Sequence, residues 1–90
     1  MEVKILKEND KELELEVKGD KTIAVLVKAY LVQDERVDFA AFAQEHPLEG
    51  KTKLYLRVKE GSPRDVLKSA VERAKADFIT FRTAFEEALK

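Results

Sequence analysis

Between Ser62 and Lys90 one row of apolar residues falls at Leu67, Val71, Ala74, Phe78, Phe81, Phe85 and Ala88. The steps are four, three, four, three, four and three, the a/d spacing of a helical seam. No Gly or Pro follows Pro63, so nothing interrupts a helix once it has begun. Ser62 as N-cap, Pro63 at N1 and Asp65 reaching back in a capping box predict its start. A helix of this length spans about 40 Å, whereas a compact domain of 90 residues is about 30 Å across. The seam therefore outruns the fold beneath it. Its surplus apolar surface calls for cover by a second protein.

Upstream, the hydrophobic period is two. Val3 and Ile5 alternate with charges over Glu2–Lys7, and Leu13, Leu15 and Val17 alternate with Glu12, Glu14, Glu16 and Lys18. Two strands joined by a turn at Glu8-Asn9-Asp10 form a hairpin. Asp20 or Thr22 then suits the cap of a first helix. Ile23–Val32 has strand-forming residues, but Ile23, Leu26, Val27, Tyr30 and Leu31 share one helical face. A second stripe, Val25, Ala29 and Val32, is apolar too, which predicts burial on more than one side. Arg36–His46 reads as a third strand, with Val37, Phe39, Ala41 and Ala43 on one face and Ala40 and Phe42 on the other. His46-Pro47-Leu48-Glu49-Gly50 turns the chain into a fourth strand around Leu54, Leu56 and Val58. The order ββαββα predicts a single α+β domain over residues 1–90. It is a two-layer sandwich with a four-stranded antiparallel sheet and two helices on one face.

Composition excludes several roles. Seventeen basic and 18 acidic residues leave a net charge of −1, with no general drive toward nucleic acid or an anionic membrane. Without Cys there is neither a disulfide nor thiolate chemistry. No apolar run has membrane-spanning length, and the N-terminal residues read as strand rather than signal peptide, so a cytoplasmic location is expected.

No catalytic constellation is legible. His46 is the only His, and metal or catalytic work needs converging groups. The row Glu12, Glu14, Glu16 reads as a solvated strand face, with Lys18 and cross-strand Lys4 nearby; acid–base work needs a pocket that shifts a pKa. Lys51, Lys53, Arg57 and Lys59 flank Tyr55 on strand four, a thin likeness to sheet-type RNA binders, without the RNA-binding consensus. Gly19, Gly50 and Gly61 stand alone, so no phosphate loop exists. Neither cofactor, metal nor small-molecule substrate is expected.

The chain resembles the archaeal RNA polymerase subunit L family, relatives of the dimerisation part of bacterial α. The likeness rests on Met1–Lys7, Leu13–Val17, Val37-Asp38-Phe39-Ala40-Ala41-Phe42, Glu45-His46-Pro47-Leu48, and the long helix after Gly61-Ser62-Pro63. It covers essentially the whole chain. The first helix departs from the family pattern Gly-Glu-Asp-His-Thr-Leu-x-Asn-Leu-Leu. Here Gly19-Asp20-Lys21-Thr22-Ile23-Ala24-Val25-Leu26 lacks one acidic residue, Lys21 replaces the His and Val25 replaces the Asn.

The resemblance implies a non-catalytic role. It implies a heterodimer with the larger D subunit of RNA polymerase, a pair that serves as platform for the large catalytic subunits. Direct nucleic-acid or membrane contact is not expected. The residues expected to face the partner are Val25, Ala29, Val32, Phe78, Phe81, Phe85 and Leu89. Two rivals are a stand-alone homodimeric α/β domain and a small RNA-binding domain using strand four.

Overall fold

The computed structural model describes residues 2–19, 21–46 and 50–90, apart from the side chains of residues 45 and 46. The elements are β1 (Glu2–Glu8), β2 (Glu12–Lys18), α1 (Lys21–Leu31), β3 (Val37–His46), β4 (Lys51–Val58) and α2 (Pro63–Ala88). All strand pairs are antiparallel, in the spatial order β1-β2-β4-β3. Both helices cover one face, and the expected ββαββα sandwich is the observed fold.

Local chemistry accounts for the joints. Asn9 turns the first hairpin by accepting the Lys11 and Glu12 amides on its side-chain oxygen at 3.1 and 2.9 Å. Gly61 enters α2 at φ +76°, a left-handed conformation in which a side chain is strained. The expected capping box is absent. Ser62 is extended and makes no side-chain cap bond, although its carbonyl accepts the Val66 amide at 3.0 Å. Pro63 opens the helix at a position where its missing N–H costs no hydrogen bond. At α1, Asp20 lies outside the described residues and Thr22 sits within the first turn rather than ahead of it. Residues 47–49 of the expected second turn also lie outside them.

The core lies between sheet and helices. Leu13 and Leu15 of β2, Leu54, Leu56 and Val58 of β4, and Ala40 of β3 meet Val27 and Leu31 of α1 and Val66 and Ala70 of α2. Three faces differ from those the sequence pattern predicts. In α1 the buried row is Ala24, Val27 and Leu31, while Ile23 and Leu26 remain substantially exposed. In β3 the register slips between Val37 and Phe39, so Val37 opposes Val58 and packs on the core face with Ala40 and Phe42. A bulge inserts one residue and reverses the alternation. In α2 the buried row is Pro63, Val66 and Ala70, one step around from the predicted seam.

That rotation leaves the seam largely uncovered. Every residue from Lys75 to Lys90 is exposed. The Cα radius of gyration is 14.5 Å, and the chain measures 48 × 35 × 16 Å. A compact chain of this length has a radius near 12 Å, so the projecting helix shows in the overall shape.

A candidate protein-docking face on the helical layer

The distal half of α2 carries Phe78, Phe81 and Phe85, with Leu89 just beyond its end; their exposures lie between 53% and 70%. The Phe81 and Phe85 rings stack with centroids 6.1 Å apart and 15° between planes. On α1, Val25 is 41% exposed and Ala29 is exposed; Val32, one residue past the helix, is 59% exposed. All seven residues expected to face a partner are thus on the surface. Helical spacing aligns the α2 group along one side. Apolar rows of this kind mark binding faces rather than ordinary solvent surface.

A polar junction fixes where α2 leaves the fold. The Tyr30 hydroxyl donates to the Asp77 carboxylate at 2.6 Å, and this bond raises the Tyr30 pKa. Arg73 donates to the Tyr30 carbonyl at 3.0 Å, with its guanidinium 5.7 Å from the Tyr30 ring. Asp34 receives the Arg36 guanidinium at 3.0 and 2.7 Å and the Arg36 amide at 2.9 Å. The side-chain bonds lead in holding its carboxyl down at about 2. The hydrophobic pattern alone did not reveal this junction. Its signal in the sequence is the row Val66, Ala70, Arg73, Asp77, which turns from apolar to polar at helical spacing.

The opposite sheet face is a charged lattice. Tyr55 donates its hydroxyl to Glu12 at 2.8 Å, and this bond, with Lys7 nearby, lowers the Glu12 pKa. Arg57 donates to Asp38 at 2.8 Å, and Lys51 lies 3.9 Å from Glu16. Phe39 packs against Tyr55 with centroids 5.9 Å apart. Arg57 and Lys51 of β4 are therefore tied to carboxylates. A depressed Glu12 pKa is also the reverse of what a general acid needs at neutral pH. The His46 side chain lies outside the described residues. Among those residues no three His, Asp or Glu side chains gather where an ion would fit, and no helix is long and apolar enough to cross a membrane.

A two-layer α+β domain with an uncovered aromatic row on a projecting helix has the form of a pairing domain. The chain belongs to the family described as the RNA polymerase Rpb3/Rpb11 dimerisation domain, which matches residues 12–84. It is similar to the DNA-directed RNA polymerase subunit Rpo11 of Methanococcoides burtonii, at 32% identity over 91 aligned positions spanning all of both chains. The same subunit of Methanothermobacter thermautotrophicus is 35% identical over 86, covering 96% of this chain and 98% of the relative. The fold is that of the crystal structure of RNA polymerase subunit L from Thermoplasma acidophilum. The TM-score is 0.84 at 23% identity, covering 97% of this chain and 87% of that one. These relatives mark the chain as a small RNA polymerase assembly subunit of the dimerising type.

Proposed function

We propose that this chain is a non-catalytic assembly subunit of an archaeal RNA polymerase. It forms a heterodimer with the larger D subunit, and the pair is the platform on which the large catalytic subunits assemble in the cytoplasm. Val25, Ala29, Val32, Phe78, Phe81, Phe85 and Leu89 form the partner-facing set, and the whole chain acts as one domain. The observation that carries this reading is the exposed aromatic row on the part of α2 that projects past its own sheet. Three rings left in water form a patch that a second apolar surface covers favourably.

The test is co-expression with a candidate D subunit, followed by size-exclusion chromatography with light scattering. A one-to-one complex is expected. Phe81→Glu is expected to abolish it, because a charge desolvated in an apolar interface is costly. Lys53→Glu, on the other sheet face, is expected to leave it intact. Equal effects from the two substitutions contradict the assignment, and a stable homodimer that ignores the D subunit contradicts the heterodimer.

A further inference from the structure

We propose that the outer edge of β3 pairs with the same edge of a second copy of this chain. The two strands run antiparallel about Ala41 and join two four-stranded sheets into one. This pairing uses none of the residues assigned to the D-facing set, so it stands or falls separately from that reading.

The sheet ends in two unlike edges. β1 and β3 are its outer strands, and each has a row of backbone N–H and C=O groups on the side away from its neighbour. Edge β1 carries charges at Glu2, Lys4, Lys7 and Glu8, and its register slips between Ile5 and Lys7. Charges and bulges of this kind keep a second strand from adding. Edge β3 lacks both along its regular part. Its register shifts lie between Val37 and Phe39 and between Ala43 and His46, and Phe39–Ala43 pair with β4 without a break. From Phe39 to Gln44 there is no charge, Gly or Pro. Among the described residues, no backbone–backbone bond outside the β4 ladder engages residues 38–44.

The side chains of this stretch select the occupant. Phe39-Ala40-Ala41-Phe42-Ala43, laid antiparallel on itself about Ala41, sets Phe39 opposite Ala43, Ala40 opposite Phe42, and Ala41 opposite its own copy. Each ring then meets a methyl group, on both faces of the sheet. Phe39 is 48% exposed on the open face, beside Tyr55, whereas Ala40 and Phe42 lie on the helical side. Large against small is a cross-strand pairing that packs without collision. At the ends Asp38 falls opposite Gln44, so no like charges are opposed. Neighbouring registers fit worse. Centring on Ala40 sets Phe42 opposite Asp38, and centring on Phe42 sets two rings against each other. Pairing β3 with a copy's β1 would leave a free edge at each end and run on as an open array, whereas β3 with β3 closes about a two-fold axis. A strand pairing this short falls well short of the roughly 1,200–2,000 Å² that stable complexes bury. The dimer is therefore weak, with a Kd of about 100 µM or above.

The test runs in the full-length Phe81→Glu chain, whose charged α2 row suppresses self-association through that helix. Sedimentation velocity between about 10 µM and about 1 mM reads the dimer, and the thermal midpoint of each variant establishes that it folds. Ala41→Lys and Ala41→Glu each set like charges against one another across the axis. Each is expected to weaken the dimer about tenfold or more. Mixed in equal amounts they set Lys against Glu, and association is expected to return to within about threefold of the parent. Only the register centred on Ala41 brings this position directly onto itself, so rescue by mixing reports the pairing itself. A parent chain that stays monomeric throughout overturns the proposal, as does a dimer that neither Ala41 variant weakens. Two weakened variants whose mixture stays monomeric overturn it as well.

Discussion

Truncating Phe81 to Ala separates a docking residue from a core residue, and the expected size follows from its exposure. Phe81 is 65% exposed in the free chain. A Phe side chain offers about 200 Å², so a partner covering the exposed part removes about 130 Å² from water. At about 25 cal/mol per Å² this is about 3 kcal/mol, or about 150-fold in Kd. The free chain has little to lose, because the ring's main neighbour is the equally exposed Phe85, and Ala has the higher helix propensity. Its stability should change by less than about 1 kcal/mol. Leu31→Ala gives the opposite pattern. Leu31 is fully buried between α1 and the sheet, and its truncation should cost about 2–5 kcal/mol of folding stability. The assay pairs urea unfolding of each free variant with a binding titration of those that remain folded. A loss of free-chain stability at Phe81 comparable to that at Leu31 refutes the reasoning, since it makes the ring part of this chain's own core.

Other expectations follow from the polar contacts. Asp34, at about 2 in the folded chain against about 4 unfolded, contributes stability that is complete above about pH 4 and is lost as pH falls toward 2. Asp34→Asn should cost about 1 kcal/mol at neutral pH and flatten that acid limb, read from urea midpoints at several pH values. Ser62→Ala should cost less than about 0.5 kcal/mol, because no side-chain cap bond is lost; a full capping penalty in urea unfolding contradicts this geometry. Tyr30→Phe removes the bond to Asp77 and should speed amide exchange in α2 around residues 73–77, with β2 and β4 unchanged. Exchange that rises equally through the whole sheet would mean the junction holds the fold rather than the helix exit.

Element order was legible because each segment has one dominant period. Leu13, Leu15 and Val17 alternate cleanly, and the α2 seam keeps its three-four rhythm for seven positions. Spatial order was not, since β2 can pair with either later strand without changing its own pattern. Faces failed where a local device overrides periodicity. The bulge beside Asp38 reverses β3, and small Ala24 takes a fully buried position while the larger Ile23 and Leu26 stay exposed. In α2 the longest apolar row is not the buried one. Val66 and Ala70 anchor the helix, then Arg73 and Asp77 continue that row as polar contacts to α1. The seam read from the sequence divides: Leu67 packs against the core, whereas Phe78, Phe81 and Phe85 stay in water. The candidate face was therefore legible as a surplus of apolar residues.

Cover of the projecting part of α2 by a partner domain is the claim on which the pairing role stands. A helix of this kind without tertiary cover is only marginally stable, so its amides exchange readily in the free chain. Hydrogen–deuterium exchange of the chain alone and in complex with a candidate D subunit tests the claim directly. Marked slowing is expected across residues 75–88 in the complex, with little change on the β4 residues that bear Lys53 and Arg57. Protection confined to that open sheet face, with the distal helix still exchanging as in the free chain, would contradict it.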